Sequence, residues 1–224
     1  GSLGFGGSQA GIGISASVFV SDNTVAAEIG ENATITATGG GSGLDAYSGN
    51  NPANGDPTLS TVTGLSFAAV SDIDLLNIVV GGAGSSSGIA AGAAIAVNTV
   101  VNDIDAGIGA GSTVTSGQDM SMTAISSAQV DAIAFGGAIG TGSSGAGAVA
   151  ANVVTNDVLS SIDGSQVTVS GDLSLKALSA PIIRMLGVGV SAAGNVGVSV
   201  SAMGNVIVEN VGAVISGSTL LVGG

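Results

Sequence analysis

The 224-residue chain contains no cysteine, no histidine and no tryptophan, and aromatic residues make up only 2% of it. Without cysteine there is neither a disulfide framework nor a thiolate metal site, and without histidine the usual zinc and iron ligand sets are absent. The apolar residues are therefore almost all Ala, Val, Ile and Leu. Such a composition predicts a thin core built from small side chains.

Positive charge is nearly absent as well. Lys176 and Arg184 are the only cations, and the formal net charge is −13. A nucleic-acid partner is excluded because no basic surface exists to neutralise phosphates. Electrostatic docking on anionic lipid is disfavoured for the same reason. We expect each of the two cations to form a local ion pair with a neighbouring coil, the alternative being a contact with an acidic partner.

Three long stretches carry no charge at all: Ile78–Val101, Ala132–Asn156 and Met185–Val208. Each is long enough to cross a bilayer. They are rich in Gly, Ala, Ser and Asn, however, and they lack flanking basic and aromatic anchors. We therefore expect no membrane insertion. The opening GSLGFGG lacks the basic start and apolar run of a secretion signal, and we expect the sequence to be part of a longer protein.

The 40 glycines and the β-branched residues are arranged in internal repeats. The phrases GSTVTSGQDMSMTA (111–124) and GSQVTVSGDLSLKA (164–177) are near copies. Ile108, Ile162 and Ile215 precede matching polar turns at spacings of 54 and 53 residues, and Ile29 begins an earlier copy. Four copies are visible, the outer ones incomplete, and we treat residues 1–224 as a single elongated repeat domain.

Asparagines recur at matched positions inside these apolar runs. An unpaired amide there would cost about 1–3 kcal/mol, so we expect the asparagines to stack in hydrogen-bonded ladders between repeats. The predicted structural ladder residues are Asn98, Asn152 and Asn205 in one row and Asn23, Asn102 and Asn156 in another, with Glu209 at the matching place in the last copy.

The local pattern within a repeat has period two, and no stretch shows a capped helical stripe. Short strands in units that cannot bury a face alone make a solenoid. The sequence predicts an all-β fold, most simply a right-handed parallel β-helix in which each 54-residue repeat forms two or three coils. A prism-like or intertwined oligomeric β fold is the alternative.

The first copy is interrupted by an insertion at residues 39–62, rich in Gly, Asn, Asp and Pro. These residues favour turns, so we predict an exposed loop, and insertions in repeat arrays commonly bind. The candidate binding residues are Asp45, Tyr47, Asn50, Asn51, Asn54 and Asp56.

The phrases GSTVTSGQDMSMTA and GSQVTVSGDLSLKA, with AIAVNTVVND and AVAANVVTND, resemble the repeats of large secreted bacterial adhesins of the filamentous-haemagglutinin and autotransporter type. The resemblance covers most of the chain apart from the insertion. It implies a right-handed β-helix, export to the cell surface by a route such as two-partner secretion, and work as a filament or stalk.

Motifs of catalytic or cofactor chemistry are weak. GTGSSG (140–145) has the letters of a dinucleotide fingerprint, but β-branched residues follow it where a helix is needed. The aspartate pairs Asp72/Asp74 and Asp103/Asp105 do not recur intact, and sugar cleavage would need aromatic platforms. We expect no catalytic residue, no cofactor and no enzyme activity. Calcium stays open as a ligand, although no known calcium spacing is present.

Two functions remain as expectations. The first is a structural and adhesive segment of a secreted or cell-surface filament, which extends and presents binding regions. The second is a binding module that recognises a glycan, a surface or ice through the insertion or a flat ladder face. The expected partners are a host or neighbouring-cell surface, neighbouring repeats of the same chain, and a second copy in a homo-oligomer.

The ladder hypothesis gives the first prediction. Replacing Asn152 with Leu should lower the melting temperature, because it removes one amide from a buried row and leaves its neighbours unpaired at about 1–3 kcal/mol each. Any adhesive activity per folded molecule should be unchanged. Lost binding with an unchanged melting temperature would instead make the asparagines a recognition face.

Overall fold

The computed structural model describes residues 2–6, 9–51 and 53–224, and of residues 2–6 only the backbone path. Gly1, residues 7–8 and Pro52 of the insertion lie outside the described residues. Within this part of the chain every regular element is a β-strand. The strands are β1 (Ser2–Gly6), β2 (Ala10–Ile29), β3 (Thr34–Ala37), β4 (Leu44–Asn50), β5 (Pro57–Val62), β6 (Gly64–Ser85), β7 (Ile89–Ile108), β8 (Thr113–Ser116), β9 (Asp119–Gly140), β10 (Ser143–Asp163), β11 (Gln166–Val169), β12 (Leu173–Ala193), β13 (Val196–Ser216) and β14 (Thr219–Val222).

Three parallel sheets wind around a common axis as a β-solenoid. Sheet A contains β1, β6, β9 and β12, sheet B contains β2, β7, β10 and β13, and sheet C contains β3, β8, β11 and β14. The chain passes from A to B to C and back to A, and each strand pairs with the equivalent strand of the next coil. The predicted all-β parallel solenoid is confirmed; its right-handedness stays a prediction.

The expected number of coils per repeat was wrong. One 53- or 54-residue repeat forms one coil, not two or three, as the register of Ile108 with Ile162 and of Ile162 with Ile215 shows. The reason is strand length: the strands of sheets A and B beyond β1 are 20–22 residues long, several times the usual length. The glycines inside these strands do not interrupt them.

The polar turn of each repeat joins sheet B to sheet C. Its equivalent residues Asn32, Gly111, Gly164 and Gly217 all have positive φ, between 53° and 76°. Glycine adopts this conformation without strain, and asparagine tolerates it best among the other residues. In the three glycine turns a serine follows and bonds to the preceding coil, as when the Ser112 hydroxyl donates to the carbonyl of Gly30 at 2.9 Å, whereas Ala33 follows Asn32. The repeated GS of the sequence is this turn.

The core has a wide end and a thin end. Beside sheet C, Ile108, Ile162, Met120, Met122 and Val114 fill a space between three sheets. Away from sheet C, sheets A and B face each other directly and the buried side chains are mostly alanine. The alanines of this thin part are Ala94, Ala96, Ala132, Ala134, Ala148 and Ala150.

Glycine sets the spacing at the thin end. A Cβ on Gly92 would lie 1.9 Å from the carbonyl oxygen of Gly137 on the opposite sheet, and a Cβ on Gly136 would lie 1.9 Å from that of Gly147. The two backbones are therefore in contact across the core, much closer than the usual spacing of about 10 Å between stacked sheets. We call this thin, charge-free part the blade, defined by residues 10–21, 78–101, 132–156 and 185–208.

No helix in the described part of the chain is long and apolar enough to cross a membrane.

The close approach of the sheets gives a second prediction. Gly92→Ala should lower the free energy of unfolding by about 1–3 kcal/mol, because the new methyl group forces the two backbones apart. The matched control is Gly145→Ala, on the same blade, where a Cβ would meet no atom within 4 Å. Urea unfolding of the two variants measures the difference. Equal midpoints would contradict the backbone contact.

Candidate binding site at the inserted hairpin

The insertion is a β-hairpin and not the loop that its composition predicted. β4 and β5 pair antiparallel from Leu44 with Val62 to Asn50 with Pro57, with an irregularity between Tyr47 and Gly49. The period-two pattern of PTLSTV could have indicated β5. The glycines and prolines concealed it, since Pro57 opens the strand and Gly43 and Gly55 take positive φ beside it.

The hairpin lies on the outer face of sheet A. The Lys176 ammonium on β12 donates to the Ser48 carbonyl of β4 at 3.0 Å. At the tip, Gly55 lies against the carbonyl oxygen of Ala180, also on β12. The outward side chains of β9 beneath it, Thr123 and Ile125, are consequently buried. The insertion thus contacts neighbouring coils and holds them together, and we call residues 39–62 the strap.

The predicted binding residues fall into two groups. Asp45 and Tyr47 lie on β4 with exposed side chains, and Tyr47 is 41% exposed opposite Leu59. Asp45 accepts a hydrogen bond from the hydroxyl of Thr61 at 3.3 Å. These residues form the outer surface of the strap.

The tip residues are occupied with holding the turn. The backbone N–H groups of Asn51 and Gly55 bond to the carbonyls of Asp56 and Asn51, both at 2.7 Å. The Asn51 side chain accepts from the N–H of Ala53, and the Asn54 amide donates to the Asp56 carboxylate. Asn50 ends β4 and is half-buried. The tip amides are therefore turn-forming groups.

A polar cavity of about 180 Å³ lies where the strap meets sheet A. Asp119, Asp172 and Lys176 line it together with the serines Ser60, Ser121 and Ser174 and with Thr61, whose hydroxyl donates to Asp45 on the outer side. The Asp172 backbone N–H and the Thr63 hydroxyl donate to Asp119 and hold the pKa of that carboxyl below its usual range. Asp119 and Asp172 are not among the site residues predicted from the sequence, and their only signal there is the shared GQD/GD step of the repeat.

The two cations behave differently. Arg184 forms the expected ion pair with the neighbouring coil, its Nε 2.8 Å from an oxygen of Asp131. The matching expectation for Lys176 was wrong. Its ammonium donates to the Ser48 carbonyl of the hairpin, and its register partner in the neighbouring coil is Thr123, which carries no charge.

The asparagines lie in two rows inside the solenoid; Asn98, Asn102, Asn152 and Asn156 are buried, Asn23 is half-buried and Asn205 is exposed. In the first, the Asn98 amide donates to Asn152 at 2.8 Å and Asn152 donates to Asn205 at 3.3 Å. Asn77 of sheet A donates to Asn98 at 2.7 Å. The expected amide stacking is thus present, while the purely structural role of the row stays a prediction. Asn77 has Ala132 and Met185 as register partners, so the repeat pattern could not reveal it.

The second row runs from Asn23 through Asn102 to Asn156, with successive amide bonds of 3.2 and 2.8 Å. Asn156 then reaches the carboxylate of Glu209 at 3.5 Å. Serines of sheet A complete the bonding: the hydroxyls of Ser126 and Ser179 accept from Asn102 and Asn156.

The motifs that gave weak signals of cofactor or catalytic chemistry lie in a turn and on an exposed strand face. Thr141 and Gly142 of GTGSSG form the turn between β9 and β10, with no helix after it. Asp72 and Asp74 lie on the exposed face of β6. In the described residues no three acidic side chains lie together in a way that could hold a metal ion.

Neither a protein-family model, nor a curated protein, nor a solved structure gives a significant match to this chain.

One acidic pair on sheet B is under electrostatic strain. Asp105 has a buried oxygen, Oδ1, with no hydrogen-bond donor, and Glu28 stands close enough to share a proton with it. Burial, and then the charges of Glu28, Asp103 and Asp157, raise the pKa of Asp105. The folded protein therefore binds this proton more tightly than the unfolded chain, and the contribution of Asp105 to stability falls as pH rises through its raised pKa.

This gives a third prediction. Asp105→Asn should raise the melting temperature at pH 7 by about 1–2 °C, because it removes a carboxylate that is destabilising when ionised. The gain should shrink as the pH falls through the raised pKa of Asp105 towards the ordinary aspartate pKa, and it should vanish near about pH 2, where the carboxyl is protonated in the folded and in the unfolded state. Asp72→Asn, which changes the net charge equally, is the control. A gain that persists at low pH would exclude this electrostatic cause.

Proposed function

We propose that this chain is a structural and adhesive segment of a bacterial cell-surface or secreted filamentous protein. One observation carries the proposal: β7, β9 and β10 each pair along nearly their whole length with the equivalent strands of the coils on both sides. Such stacking gives a stiff scaffold whose coils need no other partner. The resemblance of the repeats to filamentous adhesins supplies the surface location and the export route.

Such a segment can extend a filament or present binding regions, and the observations support presentation better than extension. The strap projects from an otherwise regular coil, and its outer surface carries the exposed Tyr47 and Leu59. Aromatic side chains on a rigid support make effective contacts with sugars and proteins because they lose little conformational entropy on binding. The scaffold therefore serves to hold the strap.

The polar cavity under the strap favours a second candidate function, a glycan-binding module. Its serine hydroxyls, two carboxylates and one ammonium are groups that can pair with sugar hydroxyls. Of the ligands considered above, the cavity favours a glycan over ice, because it is concave and charged. Here the recognised group would enter the cavity, whereas an adhesive strap would use its outer surface.

The fourth prediction separates these functions. In the second coil, Gly117 and Gln118 alone connect β8 to β9, so residues 38–63 of the first coil can be replaced by the same Gly-Gln linker. Binding to an array of immobilised glycans and to cultured mammalian cells should fall at least about tenfold, since loss of a few contacts worth 1.4 kcal/mol has this effect. Circular dichroism checks that the β-structure is kept.

A double variant and a single variant distinguish the outer surface of the strap from the cavity as the place where the ligand binds. Tyr47→Ser with Leu59→Ser keeps the strap and removes its outer apolar contacts, whereas Ser174→Val fills the cavity side. Loss of cell binding only with the first pair supports the adhesive strap, and loss of glycan binding only with the second supports the module. Full binding by the chain without the strap would refute both.

A further inference from the structure

Both outer faces of the blade are apolar, and no charged residue lies on either. On sheet B the outward side chains include Ile12, Ile14, Val18 and Val20 of β2 and Val149 of β10, all exposed. Four strands at a spacing of about 4.8 Å and ten residues at about 3.3 Å make a plane of roughly 600 Å². Monomeric proteins rarely leave an apolar patch of that size uncovered.

The sheet B face differs from the sheet A face in being unobstructed. The strap projects above sheet A at the base of the blade, and the Arg184–Asp131 ion pair borders the apolar surface there. On sheet B the outward rows are apolar apart from Thr99 and Thr155 near the base, and they end at the exposed aspartates Asp22, Asp103 and Asp157. We call the outward surface of sheet B within the blade the B face.

We propose that the B face is a docking surface for a second copy of this chain, packed blade against blade. In this pair the ends of the two blades that lie farthest from the aspartates, called the blade tips, point in opposite directions. The plane of roughly 600 Å² approaches the 800 Å² or so that each partner buries in a standard stable interface. Two such faces pack as the sheets of a β-sandwich do, through interdigitating aliphatic side chains. This pairing is independent of the strap and of the ligand proposed for it.

Charge selects the orientation. With the tips side by side, the aspartates of one copy would lie against those of the other. With the tips opposed, each acidic end extends beyond the tip of the partner, where the turns contain Ser86, Thr141 and Asn195 and no charge. Like-charge contacts at an interface are strongly unfavourable, so the opposed arrangement is preferred.

Sedimentation equilibrium tests the pairing. The unaltered chain should form dimers, and Val149→Lys should raise the dissociation constant by about 100-fold or more, since the two-fold interface receives two charges. Val18→Lys, at an edge-strand position that is 70% exposed, is a second variant that folding should tolerate. The matched control is Ile139→Lys on the sheet A face, 69% exposed, which should leave the constant unchanged.

Orientation is tested by cross-linking, which the cysteine-free sequence makes simple. Ser86→Cys marks the tip and Thr155→Cys marks the base of the B face. A short linker with a thiol-reactive group at each end should join the two variants to each other in a mixture. It should join neither variant to itself efficiently. Tip-to-tip products would overturn the opposed arrangement.

Three results would overturn the docking surface itself. They are a monomer at all concentrations, dissociation by Ile139→Lys but not by Val149→Lys, and binding of the monomer to neutral phosphatidylcholine vesicles in place of self-association. Loss of strap-dependent binding in the same variants, with dimers intact, would bear on the proposed function alone.

Discussion

The contact between the backbones of sheets A and B is the constraint on which the rest of the structure depends. Gly92 and Gly136 press against carbonyl groups of the opposite sheet, so only glycine, alanine and small polar residues fit beside them. A core of this kind buries little apolar volume per residue. Its cohesion comes mainly from the parallel hydrogen bonds between long strands, which add up because the strands run 20 residues or more without a break.

The same thinness explains why amides lie inside the solenoid. Between the alanine-rich thin end and the wider core beside sheet C, each asparagine row fills interior space while its amides bond to the next coil. An asparagine row fixes the register, because a slip of one residue would turn every amide outward and bring a β-branched side chain in. Polar residues therefore perform the positioning task that large apolar side chains perform in a thicker core.

The sequence predicts the features that repeat and misses those that occur once. The isoleucine register, the turn glycines and the asparagine rows all follow from the period, since each coil must offer the next one the same edge. The number of coils per repeat did not follow, because glycine indicates turns in most proteins and here permits close packing inside strands. The hairpin, Asn77 and the Asp119 cavity each lack a copy in the other repeats. They depend on contacts between segments that only the folded chain brings together.

The length of the strands also determines what kind of filament this fold can build. Each coil of 53 or 54 residues advances the axis by one strand spacing, about 4.8 Å, whereas a strand of 21 residues spans about 70 Å across it. An α-helix with as many residues as one coil would advance about 80 Å along its axis. A fibre made in this way is a broad ribbon. Each added coil lengthens it only slightly but adds a strip of surface as wide as the strand is long. Width, and the flat surface that comes with it, is what each additional repeat contributes.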